Sequence, residues 1–519
     1  MALLVTTQRR QNAILAVAWA CFTTMVLVVV YHHEPWFDEA QAWLLARDNS
    51  LFEMLFRRLH YEGTPGLWHL LLWAPARLGA PFRTMSYLSA LLASVSAGLF
   101  LFFAPFPVWL RVLFVFGYYP AYQYAVIARS YNLNLLLIIL AAILYSTRDS
   151  KPLRYCLILA ALANTNVFGL LVAGVLFAEF IGSAWRSRLA FTKRLTIPAS
   201  VFVIGSLLAV AQAAPARDVS FQAYHDMTPG GVIASALTQI VRGFVEVPSP
   251  TSTRQVPPVR QQDPNWPVAR FMLAVVLSAG ILAAGLGLAA RAKKLTLTIL
   301  LCAAPLAFQA LKHFSPWHAG LIYLSWVFGI WISWPALDKQ SIRYRRAVVL
   351  TTAFLFAVHG YDALAAWRLD LGTPYSAAPQ AAMFLRSYFA GNANAKLACV
   401  GVGAFAAQPY FNQNVCANYY GGAPRPSSYD FKLGQLCPIR PDAKYMPMLM
   451  RTNQFDAFLV SEYAMPRQET ESVARLAGYC LVRSFEGNII WKDYFYAPDD
   501  LIVFEKCAAP LPRALAEPR

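Results

Sequence analysis

The sequence predicts a polytopic α-helical membrane protein of about 11–12 spans, followed by a small α/β domain outside the cytoplasm. Three observations lead to this fold class. Hydrophobic residues make up 58% of the 519 residues and charged residues only 14%, whereas a soluble domain carries about 25% charged residues. Apolar runs long enough to cross a bilayer recur up to residue 366. Near Asp370 the pattern changes to short apolar stretches that alternate with helical segments.

Charge predicts the orientation in the membrane. Residues 1–360 carry 29 Lys and Arg residues against 13 Asp and Glu residues, while residues 361–519 carry 15 against 14. Much of the excess lies in short loops, which the positive-inside rule assigns to the cytoplasm. These basic residues are Arg9, Arg10, Arg186, Arg188, Lys193, Arg194, Arg291, Lys293, Lys294, Arg343, Arg345 and Arg346. They form no stripe with interleaved aromatic residues, so no nucleic-acid partner is expected.

Twelve apolar segments are candidate membrane helices. They lie near residues 12–30, 67–80, 84–104, 106–124, 131–147, 155–164, 166–183, 195–214, 268–290, 295–311, 319–337 and 347–366. The first lacks a small-residue cleavage site, so we interpret it as a retained span and not as a signal peptide. An external C-terminal domain requires an odd number of crossings. One segment between Leu67 and Tyr124 is therefore expected to be incomplete, either the piece 67–80 or a broken pair over 84–124.

The first external loop, residues 31–66, holds the acidic concentration of the membrane region. Of the 13 acidic residues among residues 1–360, six lie between Glu34 and Glu62. The capping-box pattern predicts helix starts at Asp38-x-x-Gln41 and at Ser50-x-x-Glu53. The second start begins a short helix with an apolar face suited to the membrane surface. That face consists of Leu51, Phe52, Leu55, Phe56 and Leu59.

We divide the chain into a membrane domain, residues 1–366, and a soluble extracytoplasmic domain, residues 367–519. A second external loop, residues 215–266, is rich in proline toward its end. In the soluble domain we predict buried strands at 397–402, 457–460 and 501–504, and helices at 378–389 and 469–478. Five of the eight cysteines lie there, and an extracytoplasmic domain permits disulfides. Cys416–Cys437 is the preferred pair because the connecting stretch is loop-like, and no zinc-ribbon spacing occurs.

Several motifs together resemble a known family. The first span is followed by Glu34-Pro-Trp-Phe-Asp-Glu39, then by two short surface helices and the turn Tyr61-Glu-Gly-Thr-Pro-Gly66. An Arg-x-Tyr element, Arg129-Ser-Tyr131, stands at a span end, and Lys312-His-Phe-Ser-Pro-Trp-His318 precedes a late span. This arrangement resembles the GT-C glycosyltransferases, in particular bacterial members related to protein O-mannosyltransferases and the lipid A aminoarabinose transferase. Two positions depart from the family pattern: Thr64 replaces a basic residue, and Lys-His replaces an Arg-Tyr pair.

The resemblance implies a reaction and a base. GT-C enzymes transfer a sugar, with inversion, from a polyprenyl-phosphate donor to a nucleophile outside the cytoplasm. Such a transfer requires a base for the acceptor and a cation for the leaving phosphate. We predict Asp38 as the base, because partial burial raises a carboxyl pKa toward the working pH; the alternative is a helix N-cap. Glu39 is the second catalytic candidate, and its alternative is a solvated first-turn acid that favours the helix dipole.

The remaining site candidates are basic residues and possible metal ligands. For the donor phosphate they are Arg129, Lys312, His313 and His318. Arginine offers a bidentate fork to phosphate, and its alternative role here is a snorkelling interface residue. Glu62 is a candidate metal ligand or acceptor-site acid, together with His225 and Asp226 of the second external loop. Histidine with carboxylates suits zinc or manganese, and magnesium is the third candidate cofactor. Ordinary loop roles are the alternatives for these three residues.

The predicted function is a glycosyltransferase of the bacterial inner membrane with its N-terminus in the cytoplasm. Its expected partners are a polyprenyl-phosphate-linked sugar donor, a cell-envelope acceptor (lipid, glycan or protein) and membrane lipids. A polytopic transporter or lipid flippase is the main alternative, and it would show matched halves with broken helices. A membrane-anchored binding protein is the third. Catalysis requires Asp38, Glu62 and a basic residue to converge at one external site.

Overall fold

The computed structural model describes residues 2–186, 193–220, 228–246, 268–312, 315–422, 426–433, 445–462, 467–492 and 496–507. In these ranges the chain is mainly helical up to Gly372, and a mixed sheet with flanking helices follows. The predicted fold class, a polytopic helical protein with a C-terminal α/β region, is confirmed. His225, Asp226 and His313 lie outside the described residues.

The helical part consists of α-helices joined by short π and 3₁₀ turns. The α-helices are α1 (Ala2–His32), α2 (Phe37–Asp48), α3 (Leu51–Glu53), α4 (Leu67–Arg77), α5 (Thr84–Phe103), α6 (Val108–Val115), α7 (Tyr131–Tyr145), α8 (Pro152–Ala163), α9 (Val167–Arg186), α10 (Lys193–Ala213), α11 (Pro229–Gly243), α12 (Val268–Arg291), α13 (Leu295–Leu311), α14 (Ala319–Ser333) and α15 (Ile342–Gly372). The π turns are Met54–Arg58 and Tyr119–Gln123, and the 3₁₀ turns are Leu59–Tyr61, Pro316–His318 and Trp334–Lys339. Helix α15 crosses the predicted boundary at residue 366.

Within the described ranges, seven helices are long and apolar enough to cross a membrane: Gln8–His32, Thr84–Phe103, Val167–Arg186, Arg194–Ala213, Val268–Arg291, Pro316–Lys339 and Ile342–Gly372. Helices α7, α8 and α13 are apolar but shorter. The region where an incomplete span was expected holds two short helices, α4 with 11 residues and α6 with 8. Both fall below the roughly 20 residues that a full crossing needs. Pro107 directly precedes α6, and Pro120 lies in the π turn after it.

Aromatic rings pack helices α5, α6 and α14 against one another. Phe100 of α5 stacks on Phe114 of α6 with ring centroids 3.8 Å apart, and Trp331 of α14 meets Phe100 edge-on at 5.3 Å. Tyr323 of α14 lies 6.1 Å from Phe114. These large rings are buried, so α5, α6 and α14 form a common core that supports the segment between α6 and α7.

The second predicted helix start in the first external loop is confirmed. The Ser50 hydroxyl accepts a hydrogen bond from the Glu53 N–H at 3.2 Å. The short helix that follows passes from α to π to 3₁₀ geometry before it ends at Tyr61. Leu51, Phe52 and Phe56 remain exposed in it, an arrangement that fits a segment lying on a membrane surface.

The soluble region contains the strands and helices that the sequence predicts, and more. Its elements are α16 (Ala378–Gly391), α17 (Tyr445–Arg451), α18 (Arg467–Leu476), β1 (Leu397–Val400), β2 (Ala457–Ser461), β3 (Tyr479–Phe485), β4 (Asn488–Ile490), β5 (Tyr496–Pro498) and β6 (Leu501–Lys506). One sheet has the order β1-β2-β6-β3, in which β1 and β2 are parallel and the other pairs antiparallel. Strands β4 and β5 form a separate antiparallel pair. All residues of β1 and β2 are buried, which explains their uninterrupted apolar sequences.

The predicted disulfide Cys416–Cys437 is wrong. Cys416 is bonded to Cys399, and Cys480 is bonded to Cys507. Cys399 lies in β1, and the chain returns to pair Leu397 with Cys416 in a parallel bridge. That return brings two cysteines together that sequence spacing alone does not connect, and Cys437 lies outside the described residues.

Candidate active site

Helix α2 begins at Phe37, one residue before Asp38, and Trp36 occupies the N-cap position. The prediction that Asp38 caps this helix is therefore wrong. The Glu39 carboxylate accepts the Trp36 N–H at 3.2 Å and supplies the side-chain half of the cap. Because Glu39 serves the helix start, the Asp38 carboxylate is available for another partner.

That partner is Arg129. Its guanidinium nitrogen Nη1 lies 2.7 Å from Asp38 Oδ2, and the two side chains are 25% and 24% exposed. The guanidinium lies over the rings of Trp317, at 5.0 Å, and Tyr131, at 5.4 Å. Two aromatic faces and a carboxylate thus fix the cation in place while part of the pair remains open. Burial raises the pKa of Asp38, and the charge of Arg129 opposes that rise.

Glu62 belongs to the same site. Burial raises the pKa of Glu62 to about 8, and the negative charge of Asp38 adds to the rise while Arg129 opposes it. The Gln41 amide donates to Glu62 Oε1 at 2.8 Å and to the Tyr429 carbonyl at 2.6 Å. Its own oxygen accepts the Tyr429 N–H at 2.8 Å. The N–H of Tyr429 can bind only the oxygen of the Gln41 side chain, and the carbonyl of Tyr429 can bind only its NH₂ group. These two contacts fix the orientation of the Gln41 amide, so its NH₂ group faces Glu62.

Glu39 lies in a buried cluster behind the pair. The interpretation of Glu39 as a solvated acid is wrong, because its side chain is 0% exposed. The Ala128 N–H donates to Glu39 Oε1 at 2.7 Å, and His33 Nε2 lies 3.2 Å from Oε2. The other ring nitrogen, Nδ1 of His33, lies 2.9 Å from Asp370 Oδ2. A catalytic role for Glu39 stays a prediction.

The charge state of His33 follows from these contacts. Burial by itself lowers the pKa of His33, but the negative charges of Asp370 and Glu39 outweigh it and raise the pKa to about 10. The imidazole is therefore protonated at neutral pH and donates from both ring nitrogens. The cluster ties the end of α1 to α2 and to the end of α15.

Asp38 and Glu39 together hold one short segment. Asp38 binds the side chain of Arg129, and Glu39 binds the N–H of Ala128, which precedes it. The acidic dipeptide thus contacts two consecutive residues of the chain between α6 and α7. This double contact places the guanidinium and keeps it from moving along the loop.

The soluble region covers the first external loop. Arg58 donates to both carboxylate oxygens of Asp430, at 2.9 and 2.7 Å. The Ser427 N–H donates to Asp48 at 2.9 Å, and Arg47 donates to the Phe411 carbonyl at 2.7 Å. Residues 427–430 therefore lie over the site through fixed polar contacts. No sequence signal connects them to a loop some hundreds of residues earlier.

The other predicted residues lie in different places. His318 is buried, with its ring 4.6 Å from Phe168 and 5.9 Å from Tyr131, which is next to the Arg129 guanidinium. Lys312 is exposed and follows the last residue of α13. The structure thus brings Asp38, Glu62 and Arg129 together and places His318 close by. The predicted metal site stays a prediction because His225 and Asp226 lie outside the described residues; among described residues, no group of three His, Cys, Asp or Glu could hold a metal ion.

Sequence reasoning did not select His33, Gln41 or Asp370 as site residues. Gln41 stands three positions after Asp38, a spacing that places both on one side of a helix, and this spacing was the available signal. His33 directly follows the first span and precedes the acidic loop. Asp370 carries no comparable signal, because only the packing of the end of α15 beside the end of α1 brings it to His33.

No family model and no curated protein matches this chain. Among solved structures, the chain is similar to the crystal structure of ArnT from Cupriavidus metallidurans bound to undecaprenyl phosphate. The likeness covers 96% of this chain and 99% of that one, with 11% sequence identity and a TM-score of 0.48. A likeness at this level does not establish the function of the chain, which has to be inferred from its own side chains.

Proposed function

We propose that this protein is a membrane glycosyltransferase that moves a sugar from a polyprenyl-phosphate donor to an extracytoplasmic acceptor with inversion. The observation that carries the proposal is the partly exposed pair of Asp38 and Arg129, 2.7 Å apart. A carboxylate and a guanidinium are the two groups that such a transfer needs, a base for the acceptor and a cation for the leaving phosphate. Glu62 adds a second carboxyl group, with a pKa of about 8, beside them.

In the proposed reaction, Asp38 accepts the proton of the acceptor hydroxyl as its oxygen attacks the anomeric carbon. The bond from that carbon to the phosphate oxygen breaks, and the polyprenyl phosphate leaves with the bonding electron pair. Arg129 neutralises the charge that develops on the leaving phosphate. When the donor phosphate engages the guanidinium, Arg129 stabilises the Asp38 carboxylate less, so the pKa of Asp38 rises and Asp38 becomes a stronger base.

The external orientation of the site supports a lipid-linked donor. Two disulfides, Cys399–Cys416 and Cys480–Cys507, are typical of a domain outside the reducing cytoplasm. The contacts of residues 427–430 place the first external loop on the same side as that domain. The basic short loops favour a cytoplasmic location for the opposite side. Nucleotide sugars are absent outside the cytoplasm, so the activated sugar has to arrive on a lipid.

The test is transfer of a labelled sugar by the full-length protein in nanodiscs. A panel of undecaprenyl-phosphate-linked sugars is offered with total envelope acceptors. We expect transfer from at least one donor and a loss of about 10²–10⁴-fold in Asp38→Asn, the range for a missing general base. Glu53→Gln, which changes a half-exposed acid of the same loop, is the matched control and keeps the wild-type rate.

Two results would overturn this proposal. One is turnover by Asp38→Asn at the wild-type rate. The other is the absence of transfer with every donor together with movement of the labelled lipid across the bilayer, which would establish the transporter or flippase alternative.

A further inference from the structure

Two buried amides lie in the helical part of the chain, outside the site described above. Asn134, the fourth residue of α7, is 0% exposed, and Asn166, which directly precedes α9, is 6% exposed. Burying an amide costs free energy unless its hydrogen bonds are made inside the protein, and polar side chains within a membrane bundle are rare for this reason. The partners of these two amides therefore indicate what the amides do.

The two amides bind each other, and every polar position of the Asn166 amide is used. Asn166 Nδ2 donates to Asn134 Oδ1 at 2.6 Å, and Asn134 Nδ2 donates to Asn166 Oδ1 at 3.3 Å. The same Asn166 oxygen accepts the Gly169 N–H at 2.9 Å, and the Asn166 NH₂ group also donates to Ser130 Oγ at 3.2 Å. Because the N–H of Gly169 can bind only the oxygen, the NH₂ group faces Ser130 and Asn134.

The start of helix α9 explains only half of these contacts. A side-chain oxygen that accepts the N–H three residues later is a helix N-cap, and Ser, Thr or Asp would supply it equally well. Among the usual N-cap residues, only asparagine adds an NH₂ group. The lack of a side chain at Gly169 makes room for the amide pair, since a Cβ atom there would lie 2.8 Å from Asn134 Nδ2. The contacts of the NH₂ group therefore indicate a second role for Asn166.

Ser130 directly follows Arg129, so this second role concerns the candidate cation. On the other side of Arg129, the N–H of Ala128 donates to Glu39 at 2.7 Å. Both neighbours of Arg129 are thus held by buried side chains, one from α2 and one from the start of α9. These contacts limit the directions in which the guanidinium can move, which a cation aimed at a single phosphate requires.

We propose that Asn166 is a positioning residue for Arg129 in sugar transfer, acting through Ser130, and that Asn134 supports it by orienting its amide. The inference rests on the proposed function for the reaction that Arg129 serves. Asn166 contacts no reacting atom, so its effect reaches the leaving phosphate only through the position of the guanidinium. Misplacement of a reacting group by about 1 Å can cost about 10²-fold in rate, so the loss of the Ser130 contact acts on kcat.

The test is sugar transfer by the full-length Asn166→Ser variant in nanodiscs. The serine hydroxyl still caps α9, but it lacks the NH₂ group that binds Ser130 and Asn134. We expect kcat to fall about 10- to 100-fold while KM for the donor changes about twofold or less, because a misplaced guanidinium acts mainly on the charge that develops in the transition state. Ser130→Ala removes the same contact from its other end, so the double variant is expected to be no slower than the slower single variant.

Asn164→Ser is the matched control. The NH₂ group of Asn164 donates to the carbonyls of Ala160, at 2.8 Å, and Gly205, at 2.9 Å, so this variant also loses two amide hydrogen bonds, neither of them to the segment that holds Arg129. Both variants are expected to lower the thermal midpoint by similar amounts, and Asn164→Ser is expected to keep the wild-type kcat. In an Arg129→Ala background, Asn166→Ser is expected to cause no further loss of kcat.

Binding of undecaprenyl phosphate, the leaving group itself, separates this inference from the proposed function. Its affinity is measured in the same nanodiscs without transfer, and Asn166→Ser is expected to bind it about tenfold more weakly than Asn164→Ser does. If no donor gives transfer, this difference in affinity still decides the positioning role. A wild-type kcat in Asn166→Ser, equal losses of kcat in the two variants, an undiminished loss in the Arg129→Ala background, or equal affinities of the two variants for undecaprenyl phosphate would refute that role. Neither transfer nor binding by the wild type would refute both proposals.

Discussion

The region around Asp38 and the region around Glu39 start from consecutive residues and have opposite physical character. Asp38 is partly exposed and pairs with Arg129, whose guanidinium lies over Trp317 and Tyr131. Glu39 faces a dry cluster in which His33 bridges it to Asp370. Consecutive residues on a helix do not share a face. The two neighbouring carboxylates of α2 therefore lie in different environments. Exposure and contact partners, more than residue type, therefore decide which of the two acids can take part in a reaction.

The two regions nevertheless depend on each other. Glu39 of the buried cluster binds the N–H of Ala128, and Asp38 binds the side chain of the next residue, Arg129. A rigid, fully paired cluster behind a partly open pair is the arrangement by which proteins position reactive groups. Substitutions and changes of pH can separate the two regions experimentally.

Glu39→Gln is expected to destabilise the protein by about 3–5 kcal/mol, because it removes one partner of a buried charge and leaves the His33 imidazolium poorly compensated. The measurement is the thermal midpoint in detergent, with Glu53→Gln as the exposed control. Asp38→Asn is expected to change that midpoint by far less, since a partly exposed pair contributes about 0–1 kcal/mol. Equal destabilisation by both substitutions would contradict the division into two regions.

Arg129→Ala is expected to lower kcat for sugar transfer by about 10²–10³-fold, the typical cost of removing one donor to a developing negative charge. Arg129→Lys is expected to recover only part of this, because a single ammonium cannot form the bidentate contact. Arg57→Ala changes an exposed arginine of the loop 31–66 and serves as the control. A wild-type kcat in Arg129→Ala would remove Arg129 from the mechanism.

The free energy of unfolding is expected to fall as the pH rises, over a pH range set by the pKa of His33 in the buried cluster. The folded-state pKa of His33 is raised to about 10 from an ordinary 6.5, so its contribution is fully present below about pH 6.5 and is lost as the pH rises through 10. Thermal midpoints at pH 6.5, 8 and 9.5 measure it, and His33→Gln is expected to flatten the profile. An equally steep decline in His33→Gln would assign the slope to other groups.

Gln41→Leu is expected to have the smallest effect, a shift to higher pH of the step near pH 8 that Glu62 gives to the pH–rate profile. The variant removes the N–H that favours ionised Glu62, so the pKa of Glu62 rises further above its value of about 8. The measurement is the pH–rate profile, since a purely structural role would lower the rate without moving the profile. Gln340→Leu, at the opposite end of α14 from the 3₁₀ turn Pro316–His318, is the control. An unmoved profile in Gln41→Leu would show that Glu62 does not titrate in the reaction.

Several features of the site were readable in the sequence because they are local. The loop acids, the Ser50 helix start and the Arg129-Ser-Tyr131 element each depend on residues within a few positions of one another. The strands of the soluble region were readable for the same reason, since buried strands carry continuous apolar runs. The cap at Asp38 was wrongly predicted because the observed capping box, Trp36 with Glu39, has the same spacing two residues earlier.

Hydropathy and charge act segment by segment, so the sequence alone established a multi-span helical protein with an acidic loop after its first span and an α/β region at its C-terminal end. The tertiary structure alone pairs Asp38 with Arg129 and Glu39 with His33, and it packs residues 427–430 against α2. These pairings join segments far apart in the chain. Their energies depend on burial and on partners that no local pattern specifies. The adjacent acids therefore acquired separate roles only when α1, α2, α15 and the soluble region came together.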